Sequence, residues 1–95
     1  MIQNLSIQVL PVNEADAYAH IDRAIEVIKS SRLNYTVTAF ATLVEGDLSA
    51  LQRLITDIQD MLFANGLEEV VLNVQFHAKR SEDVFLSDKT KKHKG

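Results

Sequence analysis

The spacing of apolar residues switches between two and about 3.6 along this chain, and the order of these switches limits the folds it can adopt. Alternation is typical of a strand with one buried face, and a spacing of about 3.6 residues is typical of an amphipathic helix. Pro11 ends the first alternating segment and Asn65-Gly66 ends the second helical one. The pattern predicts strands over residues 2–10, 33–40, 42–45 and 70–77, and helices over residues 14–31 and from about 48 to 64.

The order strand, helix, strand, strand, helix, strand is that of an α+β ferredoxin-like βαββαβ domain, in which one antiparallel sheet carries both helices on one face. We expect this domain to cover residues 1–80. The sheet residues expected to lie beneath the helices are Leu5, Ile7, Val9, Val37, Leu72 and Val74. The apolar stripe of the second helix consists of Leu48, Leu51, Leu54, Ile55, Ile58, Met61 and Leu62.

Local signals define the ends of these elements. Asn13 is the expected N-cap of the first helix, and Asp47 or Ser49 that of the second. Residues 81–95 are expected to form a C-terminal extension, with a short helix from Ser81 to about Lys92 and a solvated basic tail. The apolar residues expected to pack this helix are Val84, Phe85 and Leu86.

The second face of the predicted sheet carries almost no charge, although a fully solvated face normally carries Lys and Glu. A face of neutral hydrogen-bonding groups suits a self-association surface, a site for a neutral ligand, or both. By alternation its members are Ser6, Gln8, Thr36, Thr38, Phe40, Val71, Asn73 and Gln75.

Charge and composition exclude several classes of protein. Residues 1–78 hold four Lys or Arg against ten Asp or Glu, so the acidic body is not expected to bind nucleic acid. No apolar run has the length of a membrane span, and the N-terminus lacks the basic start of a signal peptide. We therefore expect a cytoplasmic protein without a membrane partner. The chain has no Cys, which excludes disulfides and thiolate chemistry.

The residues that carry chemistry are not grouped in an enzyme-like way. His20, His77 and His93 fall in different segments, with His20 expected on an exposed helix face, so we expect no metal site. We find no nucleophile motif and no glycine-rich phosphate loop, and we expect neither a cofactor nor catalysis. Glu45 is the one acidic residue within a strand region. From the residues alone, it is equally an edge carboxylate or a ligand acceptor.

Four sequence segments together resemble a known family. They are Pro11, Ser31-Arg32-Leu33-Asn34-Tyr35, Ala41-Thr42-Leu43-Val44-Glu45-Gly46-Asp47 and Lys79-Arg80. With this arrangement the chain, from about Ile2 to Lys89, is similar to the small thiamine-binding proteins, YkoF-like single domains of ferredoxin-like fold. It departs from the family pattern where Arg32 and Ala41 replace glycines and where Val12-Asn13 replaces a turn that contains glycine.

The resemblance implies binding, without chemistry, of thiamine or its hydroxymethylpyrimidine part. Thr and Asn side chains can satisfy the polar edge of an aminopyrimidine, and Glu45 can accept from its exocyclic amine. We expect a homodimer or homotetramer with the second sheet face at or near the interface, and one pocket beside Thr42 and Glu45. The alternative is an oligomeric interaction module without a small-molecule ligand. The expected ligand-binding residues are Ser6, Thr36, Thr38, Phe40, Thr42, Glu45 and Asn73.

Overall fold

A computed structural model describes residues 1–91 of the chain and contains the six main elements in the expected order. The strands pair antiparallel in the spatial order β2-β3-β1-β4, so β1 and β3 are central and β2 and β4 are edges. The elements are β1 (Gln3–Pro11), α1 (Ala17–Ser30), β2 (Asn34–Val37), β3 (Thr42–Gly46), α2 (Leu48–Ala64), β4 (Val70–His77) and α3 (Leu86–Thr90). The predicted ferredoxin-like fold with a short C-terminal helix is confirmed.

Both long helices pack on one face of the sheet, above its two central strands. We call this the helix face and the opposite side the open face. The core between helices and sheet contains the fully buried residues Leu5, Ile7, Ile28, Val44, Leu51, Leu54, Ile58 and Leu62. The spacing of three and four between the buried residues of α2 keeps them on one side of that helix.

The predicted ends of α2 are correct. The Asp47 side chain accepts a hydrogen bond from the Ala50 amide at 2.8 Å, as an N-cap does. At the other end Gly66 has a φ of +89°, a left-handed conformation that glycine adopts without a steric cost.

The start of α1 and the end of β2 differ from the prediction. Asn13 has a φ of +53° and lies in a turn, so the N-cap is Asp16, whose carboxylate accepts from the Ala19 amide at 3.3 Å. β2 stops at Val37 because the next residues form a turn, closed by a hydrogen bond from the Thr38 amide to the Ala41 carbonyl at 2.9 Å. Both differences arise at turns whose residues also fit the alternating pattern of a strand or the periodic pattern of a helix.

Two helices do not cover the full width of the sheet. Val37 on β2 and Val74 on β4 point to the helix face but are 49% and 37% exposed, so the prediction that they are core residues is wrong. His20 was expected on an exposed helix face and is instead buried. Its Nε2 lies 3.5 Å from a carboxylate oxygen of Glu14, and its Nδ1 lies 3.3 Å from a guanidinium nitrogen of Arg23.

The C-terminal segment crosses the open face near the start of β1. The Val84 side chain is buried, its amide donates to the Ile2 carbonyl at 2.9 Å, and the Ile2 amide donates to Asp83 Oδ1 at 2.7 Å. α3 covers Leu86–Thr90, a shorter range than predicted, and none of its residues is buried. The predicted helix end at Lys92 and the tail beyond it lie outside the described residues.

Arg32 occupies a left-handed backbone position directly after α1, with a φ of +63°. A side chain with a Cβ in this conformation costs about 1–2 kcal/mol, more than glycine loses through its greater flexibility. The family pattern has glycine at this position, so the structure gives a physical reason for that preference.

Replacing this exposed arginine by glycine should therefore stabilise the protein. We expect Arg32→Gly to raise the free energy of unfolding by about 0.5–1 kcal/mol in urea denaturation. The matched control is Arg53→Gly within α2, which should lower it by about 1 kcal/mol because that position is helical. An equal loss in the free energy of unfolding of both variants would show that the left-handed conformation of Arg32 does not destabilise the protein.

Candidate functional site

The pairing of β2 with β3 decides which predicted site residues lie together. Thr36 pairs with Leu43, and Asn34 pairs with Glu45, so both pairs point to the open face. Thr42 has the opposite parity within β3 and is buried on the helix face. The expectation of one pocket beside both Thr42 and Glu45 is therefore wrong. The turn between the strands reverses the alternation that had placed Thr42 on the same face as Thr36.

Thr42 lies instead beside a cavity of about 210 Å³ between α1 and the β2–β3 turn, which we call the α1 cavity. Tyr18 and Phe40 line it and are 82% and 83% exposed, so two aromatic rings remain accessible at this cavity. Among residues 1–91, no Asp, Glu, Lys, Arg or His lines it. Its other lining residues are Ile7, Gln8, Val9, Ile21, Ala24, Ile25, Ile28, Val37, Thr38, Ala39 and Ala41.

The hydroxyls of the two threonines have different surroundings. Thr38 Oγ1 donates to the Ala41 carbonyl at 2.7 Å and accepts from the Ala41 amide at 3.1 Å, so it holds the turn in place. The Thr42 side chain is 6% exposed and lies at the wall of the α1 cavity. Thr42 therefore offers a donor and an acceptor at an otherwise mainly apolar wall.

Glu45 is fully engaged on the open face. Its Oε2 accepts from Asn34 Nδ2 at 2.9 Å, and its Oε1 accepts from the backbone amide of Leu86. These contacts connect β2, β3 and the first residue of α3. The carboxylate thus anchors the C-terminal segment, which explains an acidic residue in a strand.

Of the remaining predicted residues, Ser6, Thr36 and Asn73 lie on the open face, and Phe40 lies in the β2–β3 turn beside it. Ser6, Phe40 and Asn73 line a depression of about 240 Å³, in which Asn73 Nδ2 donates to Gln8 Oε1 at 3.1 Å. Thr36 is exposed on β2, and neither it nor Glu45 lines this depression or the α1 cavity. The seven predicted residues therefore divide between two faces of the sheet.

Two residues next to cavities were not predicted. Tyr18 lies three residues before Ile21 and seven before Ile25 on α1, and this helical spacing could have placed it at the α1 cavity. Asn4 is buried on the open face beneath the C-terminal segment, where it lines a third cavity of about 420 Å³. Alternation assigns Asn4 to the open face, but only the tertiary structure shows what covers it.

The described residues offer hydrogen-bonding and aromatic groups at the α1 cavity. No group of three His, Asp or Glu side chains within residues 1–91 is arranged to hold a metal ion. The α1 cavity offers hydroxyl, amide and aromatic groups, which can orient a small polar ring. In the same part of the chain, no helix is both long and apolar enough to cross a membrane.

A family model of thiamine-binding proteins matches residues 5–94, nearly the entire chain. The chain belongs to this family. The predicted resemblance is therefore confirmed, and the match includes the β2–β3 turn, Thr42 and the C-terminal segment. The chain is also 27% identical to a UPF0045 protein of Clostridium perfringens over 92 residues, which is 96% of each chain.

Solved structures of similar proteins share the fold. A DUF77 domain of unknown function from Bacillus cereus is 30% identical, with a TM-score of 0.92 over 99% of this chain and 91% of the other. A candidate thiamine biosynthesis/salvage protein from Thermotoga maritima is 26% identical, with a TM-score of 0.90 over 99% of this chain and 100% of the other.

Proposed function

We propose that this protein binds thiamine or its hydroxymethylpyrimidine part in the α1 cavity, without transforming it, as a cytoplasmic homo-oligomer. The observation that carries the proposal is the position of the buried residue Thr42 at a cavity that two exposed aromatic rings flank and that no charged side chain of residues 1–91 lines. The family match supports the choice of ligand. The structural similarity to the Thermotoga maritima protein supports the same choice.

The cavity matches the pyrimidine part of thiamine in size and polarity. Its 210 Å³ exceeds the roughly 150 Å³ of an engineered apolar cavity that binds benzene, so it has room for one substituted six-membered ring. The Thr42 hydroxyl can donate to a ring nitrogen or accept from an amine. The apolar side chains of Ile21 and Ile25 can contact the ring.

The thiazolium part of thiamine would remain outside the cavity, where Tyr18 and Phe40 are accessible. A cation near the face of an aromatic ring is attracted by the electron density of that ring. The acidic body of the protein adds a weak attraction for the same charge. We therefore expect the pyrimidine alone to bind, and thiamine to bind at least as well.

Binding without catalysis is the simplest activity for this lining. General acid–base chemistry needs a positioned side chain such as His, Glu, Asp or Lys, and none from the described part of the chain lines the α1 cavity. Nucleophilic attack by Thr42 would need a base within hydrogen-bond reach. We propose a carrier or sensor rather than an enzyme.

Exchange of the Thr42 hydroxyl for a methyl group tests the site. We expect Thr42→Val to raise the Kd for hydroxymethylpyrimidine about tenfold in calorimetry, because the ligand loses a hydrogen bond in a desolvated place. Its thermal midpoint should be unchanged or higher, since valine buries no polar group at this position. Thr36→Val is the matched control on the open face and should leave the Kd unchanged. Equal effects of the two variants would rule out this site, and no binding of either compound would favour the interaction module.

A second observation favours self-association. β4 is a free edge of eight residues, Val70–His77, without Pro, Lys, Arg, Asp or Glu, although exposed edges usually carry such residues to prevent pairing. Val71 is exposed on its open-face side. We propose that a second copy pairs along this edge, which brings the neighbouring part of the open face close to the interface.

Light scattering tests the assembly. We expect a dimer or tetramer for the parent protein, and a shift toward the monomer for Gln75→Glu because a two-fold interface would bring two added charges together. Gln59→Glu on α2 makes the same change on the far side of the helices and should not alter the mass. A parent protein that is monomeric at high concentration would overturn the proposed assembly.

A further inference from the structure

The cavity of about 420 Å³ beneath α3, which we call the α3 cavity, lies on the face of the sheet opposite the α1 cavity. Its polar floor combines Asn4 and Ser6 of β1 with Gln75 and His77 of β4. The register places Asn4 opposite His77 and Ser6 opposite Gln75, so the four side chains form two adjacent cross-strand pairs. Leu43 continues the floor, and Leu86 and Lys89 of α3 form the roof.

Asn4 has an unsatisfied acceptor at this cavity. The residue is only 4% exposed, and its Nδ2 donates to the Val84 carbonyl at 2.9 Å. Because a carbonyl can only accept, this contact fixes the orientation of the amide and leaves Oδ1 without a partner. A buried carbonyl oxygen without a donor is unfavourable, and a bound group that donates an N–H would remove this cost.

The charge around the α3 cavity is the reverse of that of the whole domain. Lys89 lines it, and within residues 1–91 no carboxylate does so. The Glu45 carboxylate lies outside this lining, and its hydrogen bonds from Asn34 and from the Leu86 amide compensate part of its charge. An organic anion can therefore approach Lys89 here, although the body of the protein is acidic.

The roof can move with little loss of packing. α3 contains no buried residue, and the contacts that hold the segment lie before it, at Asp83 and Val84, or at its first residue, through the Leu86 amide. The Asn4 Oδ1 is sealed from water when the roof is closed. Outward movement of α3 would open this oxygen to a ligand.

We propose that the α3 cavity is a second ligand site, which takes a small organic anion that also carries an N–H donor. The donor group bonds to Asn4 Oδ1, the anionic group lies beside Lys89, and the body of the ligand contacts Leu43 and Leu86. Ser6 and Gln75 supply further hydrogen bonds from the floor. The site is independent of thiamine binding, since it lies on the other side of the sheet.

NMR titration with 4-aminobenzoate, which has an amine and a carboxylate at opposite ends of a ring, tests the site. We expect saturable amide shifts at residues 4, 6, 75, 77 and 86, and not at residues 18, 21 or 42 of the α1 cavity. Benzoate lacks the donor and aniline lacks the anion, so each should bind at least about fivefold more weakly. 4-Aminophenyl phosphate shows whether a phosphate can take the place of the carboxylate. Either amine-bearing anion supports the proposal if it binds more tightly than benzoate and aniline.

Variants separate the site from general charge effects. Lys89→Gln should raise the Kd about fivefold, whereas Lys91→Gln makes the same charge change outside the cavity and should have less than about a twofold effect. Asn4→Leu should raise it about tenfold with α3 resonances otherwise retained. The proposal is overturned if no shift saturates up to about 10 mM probe, if both Lys variants act equally, or if the shifts fall at the α1 cavity.

Discussion

Leu54→Ala is expected to lower the free energy of unfolding by about 2–5 kcal/mol, the range seen when a fully buried leucine loses its side chain beyond Cβ. Leu54 is 2% exposed and lies in the cluster between α2 and the sheet. Because a small domain has a total stability of roughly 5–15 kcal/mol, this one change removes a large part of it. Urea denaturation of the two proteins at one temperature measures the difference.

Leu48→Ala is the matched control for this prediction. Leu48 belongs to the same apolar stripe and begins the same helix, but it is 42% exposed. We expect its replacement to cost less than about 1 kcal/mol, because alanine favours the helix and little buried area is lost. A Leu54→Ala effect below about half a kcal/mol would mean that the phase of α2 on the sheet is incorrect.

The fold could be predicted from the sequence because the period of the apolar residues identifies each element. In α2, Leu51, Leu54 and Ile58 follow helical spacing and all three are buried. In β1, Leu5 and Ile7 alternate with polar residues and are buried as predicted. Periodicity gives the direction in which a side chain points, which is enough when a neighbouring element covers that face.

Periodicity does not show how far that cover extends. Val37 and Val74 point in the predicted direction, but α1 and α2 lie above the central strands and leave both edge residues exposed. For His20, in contrast, periodicity indicates burial, although this side chain was expected to be exposed. It lies four residues before Ala24 and eight before Ile28, and this spacing places it on the buried side of α1.

The site was only partly predictable because a short turn changes the phase of alternation. Continued alternation from Thr36 would place Thr42 on the open face, yet the turn closed by Thr38 and Ala41 places it on the helix face. Glu45 was identified as unusual, which is correct. Its partner is the backbone of Leu86, 41 residues away, and this contact has no signature in the sequence.

Removal of residues 83–95 should also lower the stability of the protein strongly, because this segment covers part of the open face. The truncated protein loses the buried Val84 side chain and the hydrogen bonds of Val84 with Ile2 and Asn4. A buried valine contributes about 1.5–3 kcal/mol and each hydrogen bond about 0.5–1.5 kcal/mol. Ordering of the segment and the sealed Asn4 oxygen offset part of this stabilisation. We expect a net loss of about 2 kcal/mol, which lowers the thermal midpoint by about 8–16 °C.

A shorter deletion, of residues 89–95, separates the anchor from the tail. It keeps Val84 and the contact between Glu45 and the Leu86 amide, and its described residues are exposed. We expect its thermal midpoint to lie within about 2 °C of that of the parent protein, because exposed lysines bury little surface. Equal midpoints for the two deletions would show that Val84 does not stabilise the domain. A large drop in the shorter one would show that the tail packs against the protein, for example across a subunit interface.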